Sequence, residues 1–145
     1  MMNLPPLSKL NLVAKAVFAL ALIGFADASY LTAKFFLGGS IPCSILGGCD
    51  TVTKSAYASI AGVPIALLGA LFYLTVLILV IYYLDSAKSK IWTYLFFITL
   101  IGFLFSIYFV FLQVFIIKAL CLYCLISAVT STALFCLCFW ARKVV

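Results

Sequence analysis

Four long apolar segments constrain the fold of this chain more than any other feature of its sequence. They cover residues 10–37, 63–84, 91–117 and 119–141, and the last two contain no charged residue. An α-helix rises about 1.5 Å per residue, so roughly 20 apolar residues cross a hydrocarbon core about 30 Å thick. Each segment is long enough to do so. The sequence therefore predicts an all-α integral membrane protein with four transmembrane helices.

The composition excludes a soluble protein and narrows the chemistry. Hydrophobic residues make up 68% of the chain and charged residues 8%, too few to cover a water-soluble core. The net charge is +6, but the basic residues stand singly between apolar runs and form no patch for nucleic acid. The absence of histidine excludes imidazole catalysis and histidine-held haem or metal. The six cysteines remain as the main candidates for reactivity.

One connection between the spans is long and the others are short. Residues 38–61 form the long loop, in which Pro42 and four glycines interrupt any helix, and Ser55 to Ala61 predicts a short surface helix within it. Residues 85–90 and the turn around Lys118 are minimal links, so neighbouring spans run in opposite directions. We expect one domain over residues 1–145, an up-down-up-down bundle of four transmembrane helices.

Lysine and arginine are divided unequally between the two ends of such a bundle. Cytoplasmic loops usually carry the excess. The larger group is Lys9, Lys15, Lys88, Lys90, Arg142 and Lys143, and the smaller group is Lys34, Lys54 and Lys118. This count predicts that both termini are cytoplasmic and that the long loop is extracytoplasmic. The first span also has features of a cleavable signal peptide, but its apolar run continues to Leu37, so we expect it to be retained.

Four cysteines fall on the predicted outer side, where disulfides persist. Cys121 and Cys124 form a C-x-x-C motif at the N-terminal end of the fourth helix, where the helix dipole stabilises a thiolate. A lowered thiol pKa at either position would favour rapid thiol–disulfide exchange. Cys43 and Cys49 lie in the glycine-containing loop, which can bring two thiols into disulfide geometry. Two dithiols at one membrane face predict an electron relay.

Other interpretations of the cysteines stay open at this level. The four outer cysteines could form two structural disulfides or hold a zinc ion, although the long C-x5-C spacing fits zinc poorly and we expect no metal. Cys136 and Cys138 lie deep in the fourth span, where cysteine usually packs as a small apolar residue.

Three further polar residues are candidates for the site. Asp27 is an intramembrane carboxylate two helical turns before Lys34, and it either has a structural or orienting role or serves as the ion site of a small transporter. Gln113 could hydrogen-bond a neighbouring helix or a ligand carbonyl. Ser55 could cap the short surface helix or contact a ligand. Since the chain has no histidine to hold haem, no dinucleotide motif and no soluble domain for flavin or nicotinamide, a lipid quinone is the electron acceptor that fits.

Taken together and in order, the motifs of this chain resemble the vitamin K epoxide reductase family in its prokaryotic form. The motifs are Gly24-Phe25-Ala26-Asp27-Ala28-Ser29-Tyr30-Leu31-Thr32, Cys43 to Cys49-Asp50 with Ser55 and Gly62-Val63-Pro64, and Cys121-Leu122-Tyr123-Cys124. The resemblance implies a four-helix oxidoreductase of the prokaryotic cell membrane. Such enzymes pass electrons from a thioredoxin-like protein to a quinone (menaquinone, ubiquinone or a vitamin K-like compound) and support disulfide-bond formation.

The resemblance also implies a role for each matching residue. Cys43 would exchange with the thioredoxin-like partner, and Cys49 would attack the C-x-x-C disulfide at Cys121. Cys124 would lie nearest the quinone and reduce it, and Ser55 matches a Ser/Thr position close to the quinone.

Some features depart from the family or fit a related one. No thioredoxin-like segment follows the fourth span, so we expect a separate partner protein. The Asn and Tyr that contact vitamin K in the animal enzymes correspond by spacing to Ile78 and Ala128, which favours quinone reduction over epoxide reduction. A DsbB-type thiol oxidase is the closest alternative, but its C-x-x-C would open the second helix.

Overall fold

The computed structural model describes residues 7–39 and 48–145, and Cys43 lies outside these residues. Within them, four helices are long and apolar enough to cross a membrane, which confirms the predicted all-α membrane bundle. The helices are α1 (Leu7–Leu37), the short α2 (Cys49–Thr53), α3 (Ile65–Ser86), α4 (Lys90–Phe111) and α5 (Leu122–Val144).

The long helices pack in a closed ring. Helix α1 contacts α3 and α5, and α4 contacts the same two helices from the other side. Near one end of the ring, Leu10 of α1 shares a core cluster with Ala141 of α5, whereas Leu31 near the end of α1 packs with Cys121 just before α5. Helices α1 and α5 are therefore antiparallel, and the end of α1 lies beside the C-x-x-C motif.

A stripe of mostly small residues along α1 allows this close packing. Its members recur at alternating steps of three and four, a spacing that keeps them on one helix face. They are Leu10, Ala14, Val17, Ala21, Gly24, Ala28 and Leu31, all buried. At Gly24 the ring of Tyr73 from α3 occupies the space of a side chain, since an added Cβ would stand 2.6 Å from its Cδ1 atom. A glycine at position 24 therefore lets α1 and α3 approach.

The segment between α1 and α3 differs from the surface helix predicted for Ser55 to Ala61. The helix lies earlier, as α2, and is followed by a single 3₁₀ turn over Ala56–Ala58. Strands β1 (Ser59–Ile60) and β2 (Val63–Pro64) then pair antiparallel. The two residues between them, Ala61 and Gly62, both have positive φ angles, which suits a tight hairpin turn and ends the helical path.

Helix α4 ends in an irregular turn that the uniform apolar run did not predict. Leu112–Ile117 form a π-helical turn, and Lys118 then adopts a left-handed conformation with φ of 57°. Such turns insert an extra residue into a helix and are frequent at functional sites. Here the turn buries Gln113 and leads directly to Cys121.

Candidate functional site

Cys49 and Cys121 lie together in one buried cluster at the end of the helical ring. Both are fully buried, with Leu31 and Val52 completing the cluster and Cys124 packed against it. Gly48 lies against the backbone of Leu120, so an added Cβ would stand 2.8 Å from the Leu120 nitrogen. Only a residue without a side chain fits at position 48, and this contact holds the start of α2 beside the C-x-x-C motif.

The cysteines of the cluster differ in state. Cys49 is disulfide-bonded. Cys121 and Cys124 carry free thiols, as do Cys136 and Cys138.

The two cysteines of the C-x-x-C motif occupy different environments. Cys121 has extended backbone angles and caps the N-terminus of α5, whereas Cys124 lies in the first helical turn. A hydrogen bond from the Cys124 thiol, with contributions from the backbone N–H groups of Cys124 and Tyr123, outweighs burial and lowers the pKa of Cys121 to about 7. Cys121 is therefore a reactive thiol near neutral pH and a good leaving group in thiol–disulfide exchange.

Gln113 holds the backbone of the motif. Its Oε1 accepts a hydrogen bond of 2.9 Å from the N–H of Cys121, and its side chain is 1% exposed. Its backbone carbonyl accepts a further bond of 3.1 Å from the N–H of Ala119. Of the two roles left open by the sequence, bonding to a neighbouring segment is the one observed. Gln113 also lines the cavity described next.

A cavity of about 620 Å³ lies inside the bundle next to the cluster. Its wall is mainly apolar and comes from α1, the segment from α2 to β1, α3, the end of α4 and α5. Cys124 lines this cavity, whereas Cys121 does not and instead packs beside Cys49. The C-x-x-C motif thus connects a buried cysteine cluster on one side with an apolar cavity on the other.

Ser55 also lines the cavity, but its hydroxyl does not cap a helix. Ser55 precedes the 3₁₀ turn without a side-chain capping bond, and its Oγ donates to the Val52 carbonyl at 2.7 Å. Of the two roles that the sequence left open for Ser55, capping is not observed, because the hydroxyl is used within the turn that follows α2.

Asp27 faces the cavity rather than pairing with Lys34. Its side chain is half-buried, and its Oδ2 atom is buried without a hydrogen-bond partner. The ammonium group of Lys34 lies instead 5.7 Å from the centre of the Tyr30 ring, which in turn packs 5.2 Å from the ring of Tyr123. Asp27 and Lys34 thus have different surroundings, and the structural or orienting role of Asp27 stays a prediction.

Cys136 and Cys138 differ from each other. Cys138 is fully buried in the main core, as expected for a small apolar residue. Cys136 is exposed on the outer face of α5, because it lies two residues away on a helix of 3.6 residues per turn. Neither residue belongs to the cysteine cluster or to the cavity wall.

Comparison with known families agrees with this arrangement. The sequence model of the vitamin K epoxide reductase family matches residues 15–139. This range covers most of the chain and the greater part of each of the four long helices. The chain belongs to the vitamin K epoxide reductase family. A search of curated proteins found no match.

Membership of the vitamin K epoxide reductase family makes the chain an oxidoreductase of the membrane, and proteins of this family act with quinones. It also sets aside the DsbB-type alternative, in agreement with a C-x-x-C motif that precedes α5 rather than α3.

Ile78 and Ala128 of this vitamin K epoxide reductase family member correspond by spacing to the Asn and Tyr that contact vitamin K in the animal enzymes. Ala128 lines the cavity, as expected. Ile78 does not, since its side chain is 59% exposed on the outside of α3. The polar group that α3 contributes to the cavity is the hydroxyl of Tyr73.

The cavity wall also contains Tyr73, Ser127 and Ser131, which no motif of the sequence indicated. Ser127 and Ser131 follow Cys124 by three and seven positions on α5, a spacing that places them on the same helix face and could have identified them. Tyr73 carries no such signal. Its hydroxyl shares a hydrogen bond of 2.9 Å with the Ser127 hydroxyl, so the pair can be found only from the packing of α3 against α5.

Proposed function

We propose that this protein is a membrane thiol:quinone oxidoreductase that supports disulfide-bond formation. Electrons would pass from a reduced thioredoxin-like protein through Cys43 and Cys49 to Cys121 and Cys124, and from there to a lipid quinone. The observation that carries this proposal is the division of the C-x-x-C motif, with Cys121 packed beside Cys49 and Cys124 in the wall of an apolar cavity.

The cavity fits a quinone by size and chemistry. Small-molecule sites are typically about 300–1,000 Å³, mostly apolar and supplied with few polar groups. A cavity of about 620 Å³ with a largely apolar wall meets this description, and Cys124 brings a thiol to its surface. When bound, a quinone would supply a two-electron acceptor beside that thiol. Ser55 and Gln113 are further residues of the wall at this end of the bundle.

Each exchange step then uses a cysteine of this chain. A reduced Cys49 attacks the sulfur of Cys121 in a Cys121–Cys124 disulfide, forms a mixed disulfide and releases Cys124 as the leaving thiolate. Cys43 attacks Cys49, closes the Cys43–Cys49 disulfide and releases Cys121. The pKa of about 7 at Cys121 makes it a good leaving group in this second step. The thioredoxin-like partner restores the Cys43 and Cys49 thiols by the same kind of exchange.

The relay is tested by comparing two cysteine variants of the detergent-purified protein. Cys124→Ser is expected to abolish quinone reduction with every donor, because it removes the thiol in the cavity wall. Cys43→Ser is expected to lose turnover with a reduced thioredoxin-like protein and to keep turnover with a small dithiol that reaches the inner pair. Quinone absorbance reports both reactions. Equal loss of small-dithiol turnover in the two variants would contradict the proposed order of the cysteines.

A further inference from the structure

The carboxyl group of Asp27 lies in the wall of the same cavity as the Cys124 thiol. The two residues belong to α1 and α5, which pack directly against each other. Asp27 is also close enough to the C-x-x-C motif for its charge to raise the pKa of Cys121, against the larger effects that lower it. A group able to carry a proton thus lines the same cavity as one thiol of the proposed redox pair.

Most of the neighbouring polar groups in the cavity wall are already engaged. Tyr73 and Ser127 hydrogen-bond each other, Ser55 donates to Val52, and Gln113 accepts from Cys121. Within the part of the chain that the structure describes, the buried cavity oxygens without a partner are Oδ2 of Asp27 and Oγ of Ser131. Only the carboxyl group among these two readily exchanges a proton at neutral pH.

The position of Asp27 is costly for a residue that only supports the fold. A carboxyl oxygen buried at membrane depth without a hydrogen bond loses its solvation without compensation. The α1 stripe that packs the bundle consists of other residues, and Asp27 lies beside it. An unpartnered carboxyl oxygen in a cavity is explained if it binds a ligand or a proton during function.

We propose that Asp27 is the proton carrier of quinone reduction, an inference that depends on the proposed function. Closing the Cys121–Cys124 disulfide from two thiols forms one S–S bond and releases two electrons and two protons, and a bound quinone that takes up both becomes a hydroquinone. Asp27 accepts the proton of the Cys124 thiol at Oδ2 as the sulfur gives up its electrons, and donates it to a quinone oxygen. The second proton, released by Cys121, follows through the same carboxyl group.

The test compares Asp27→Asn with a matched control, Asp85→Asn. The chain has three acidic residues in all, and Asp85 is exposed near the end of α3, away from the cavity. Three quantities are measured on each protein. The first is the equilibrium binding of menadione, which is a naphthoquinone without a tail. The second is the single-turnover rate at which the pre-reduced protein reduces menadione. The third is the redox-induced infrared difference spectrum in the carboxyl region.

Asparagine keeps the shape of the side chain but cannot carry a proton between two groups. Asp27→Asn is expected to bind menadione within about threefold of wild type, to reduce it at least about 100-fold more slowly and to lose a carboxyl band in the infrared spectrum. Asp85→Asn is expected to match wild type in all three, and Asp27→Glu is expected to recover part of the rate.

The outcomes separate this inference from the proposed function. Wild-type protein that reduces no quinone would overturn the proposed function itself. A wild-type rate in Asp27→Asn, or binding and rate lost in equal proportion, would overturn the role of Asp27 alone. If Asp27→Asn does not fold, the wild-type infrared spectrum decides, because a functional protein without any carboxyl change on reduction contradicts a proton carrier.

Discussion

At the scale of single residues, the two thiols of the C-x-x-C motif are made unequal by their immediate neighbours. The Cys124 thiol and the backbone N–H groups at the start of α5 lower the pKa of Cys121. Gln113 fixes its backbone from the other side. Hydrogen-bond donors stabilise a thiolate, so the pKa of the cysteine that packs beside Cys49 lies below that of an ordinary thiol.

This asymmetry predicts the alkylation behaviour of Cys121. In the reduced protein its reactivity is expected to rise with pH through about 7, because only the thiolate reacts. Cys124→Ala removes the largest stabilising hydrogen bond, so the pKa of Cys121 and the midpoint of the alkylation profile are expected to move to higher pH. Peptide mass spectrometry after brief iodoacetamide treatment measures this. Cys136→Ala, on the outer face of α5, is the control, and an unshifted midpoint in Cys124→Ala would contradict the assignment.

At the scale of helices, the packing of the bundle depends on a few positions at which two helices approach closely. Gly24 of α1 accommodates the ring of Tyr73, whose hydroxyl then reaches Ser127 on α5. One small residue on α1 therefore positions a tyrosine of α3 and, through it, part of the cavity wall on α5.

Gly24→Ala is expected to lower the free energy of unfolding by about 1–3 kcal/mol, because the added methyl group overlaps the Tyr73 ring in a packed interface. Gly69→Ala is the matched control. A Cβ there would meet the Ala28 methyl group at 3.7 Å, an ordinary contact, so its effect is expected to stay within about 0.5 kcal/mol. Unfolding in mixed detergent micelles, followed by circular dichroism, compares the two. Equal stabilities of the two variants would show that the ring of Tyr73 moves away freely.

At the scale of the whole molecule, the helical ring gathers the cysteine cluster, the π-helical turn and the hairpin at one end. The other end holds the α3–α4 turn and the end of α5, together with most of the basic residues. Because an excess of lysine and arginine is typical of the cytoplasmic side, we propose that the end with the cysteine cluster is extracytoplasmic.

The orientation is tested with cysteines introduced at the two ends and a membrane-impermeant maleimide on intact cells. Ile60 is exposed in the hairpin, and Ile60→Cys is expected to be labelled from outside, because the proposed orientation places the cluster end outside the cytoplasm. Ser89→Cys, exposed in the α3–α4 turn, is expected to react only after the membrane is permeabilised. The reverse pattern would place the redox cysteines in the cytoplasm and contradict a role in extracytoplasmic disulfide formation.

Much of the fold and part of the candidate site could be predicted from the sequence, because the relevant signals are local. The four spans follow from the length of the apolar runs, because an apolar segment of this length crosses a bilayer as a helix. Cys121 and Cys124 are identified by their mutual spacing and by the helix that begins after Cys121. The hairpin at Ser59 to Pro64 and the π-helical turn at Gln113 could not be predicted, because the conformation of such short segments depends on the residues that pack against them.

The sequence by itself determined the membrane bundle, the family and the C-x-x-C motif of the proposed relay, since each depends on spacing along one chain. Only the tertiary structure decided that Cys121 packs beside Cys49 while Cys124 lines a cavity, and that Gln113 bonds Cys121. It also turned Asp27 toward the cavity rather than toward Lys34. These relations join helices far apart in the chain, and the packing of one helix against another, rather than any local preference, brings their side chains together.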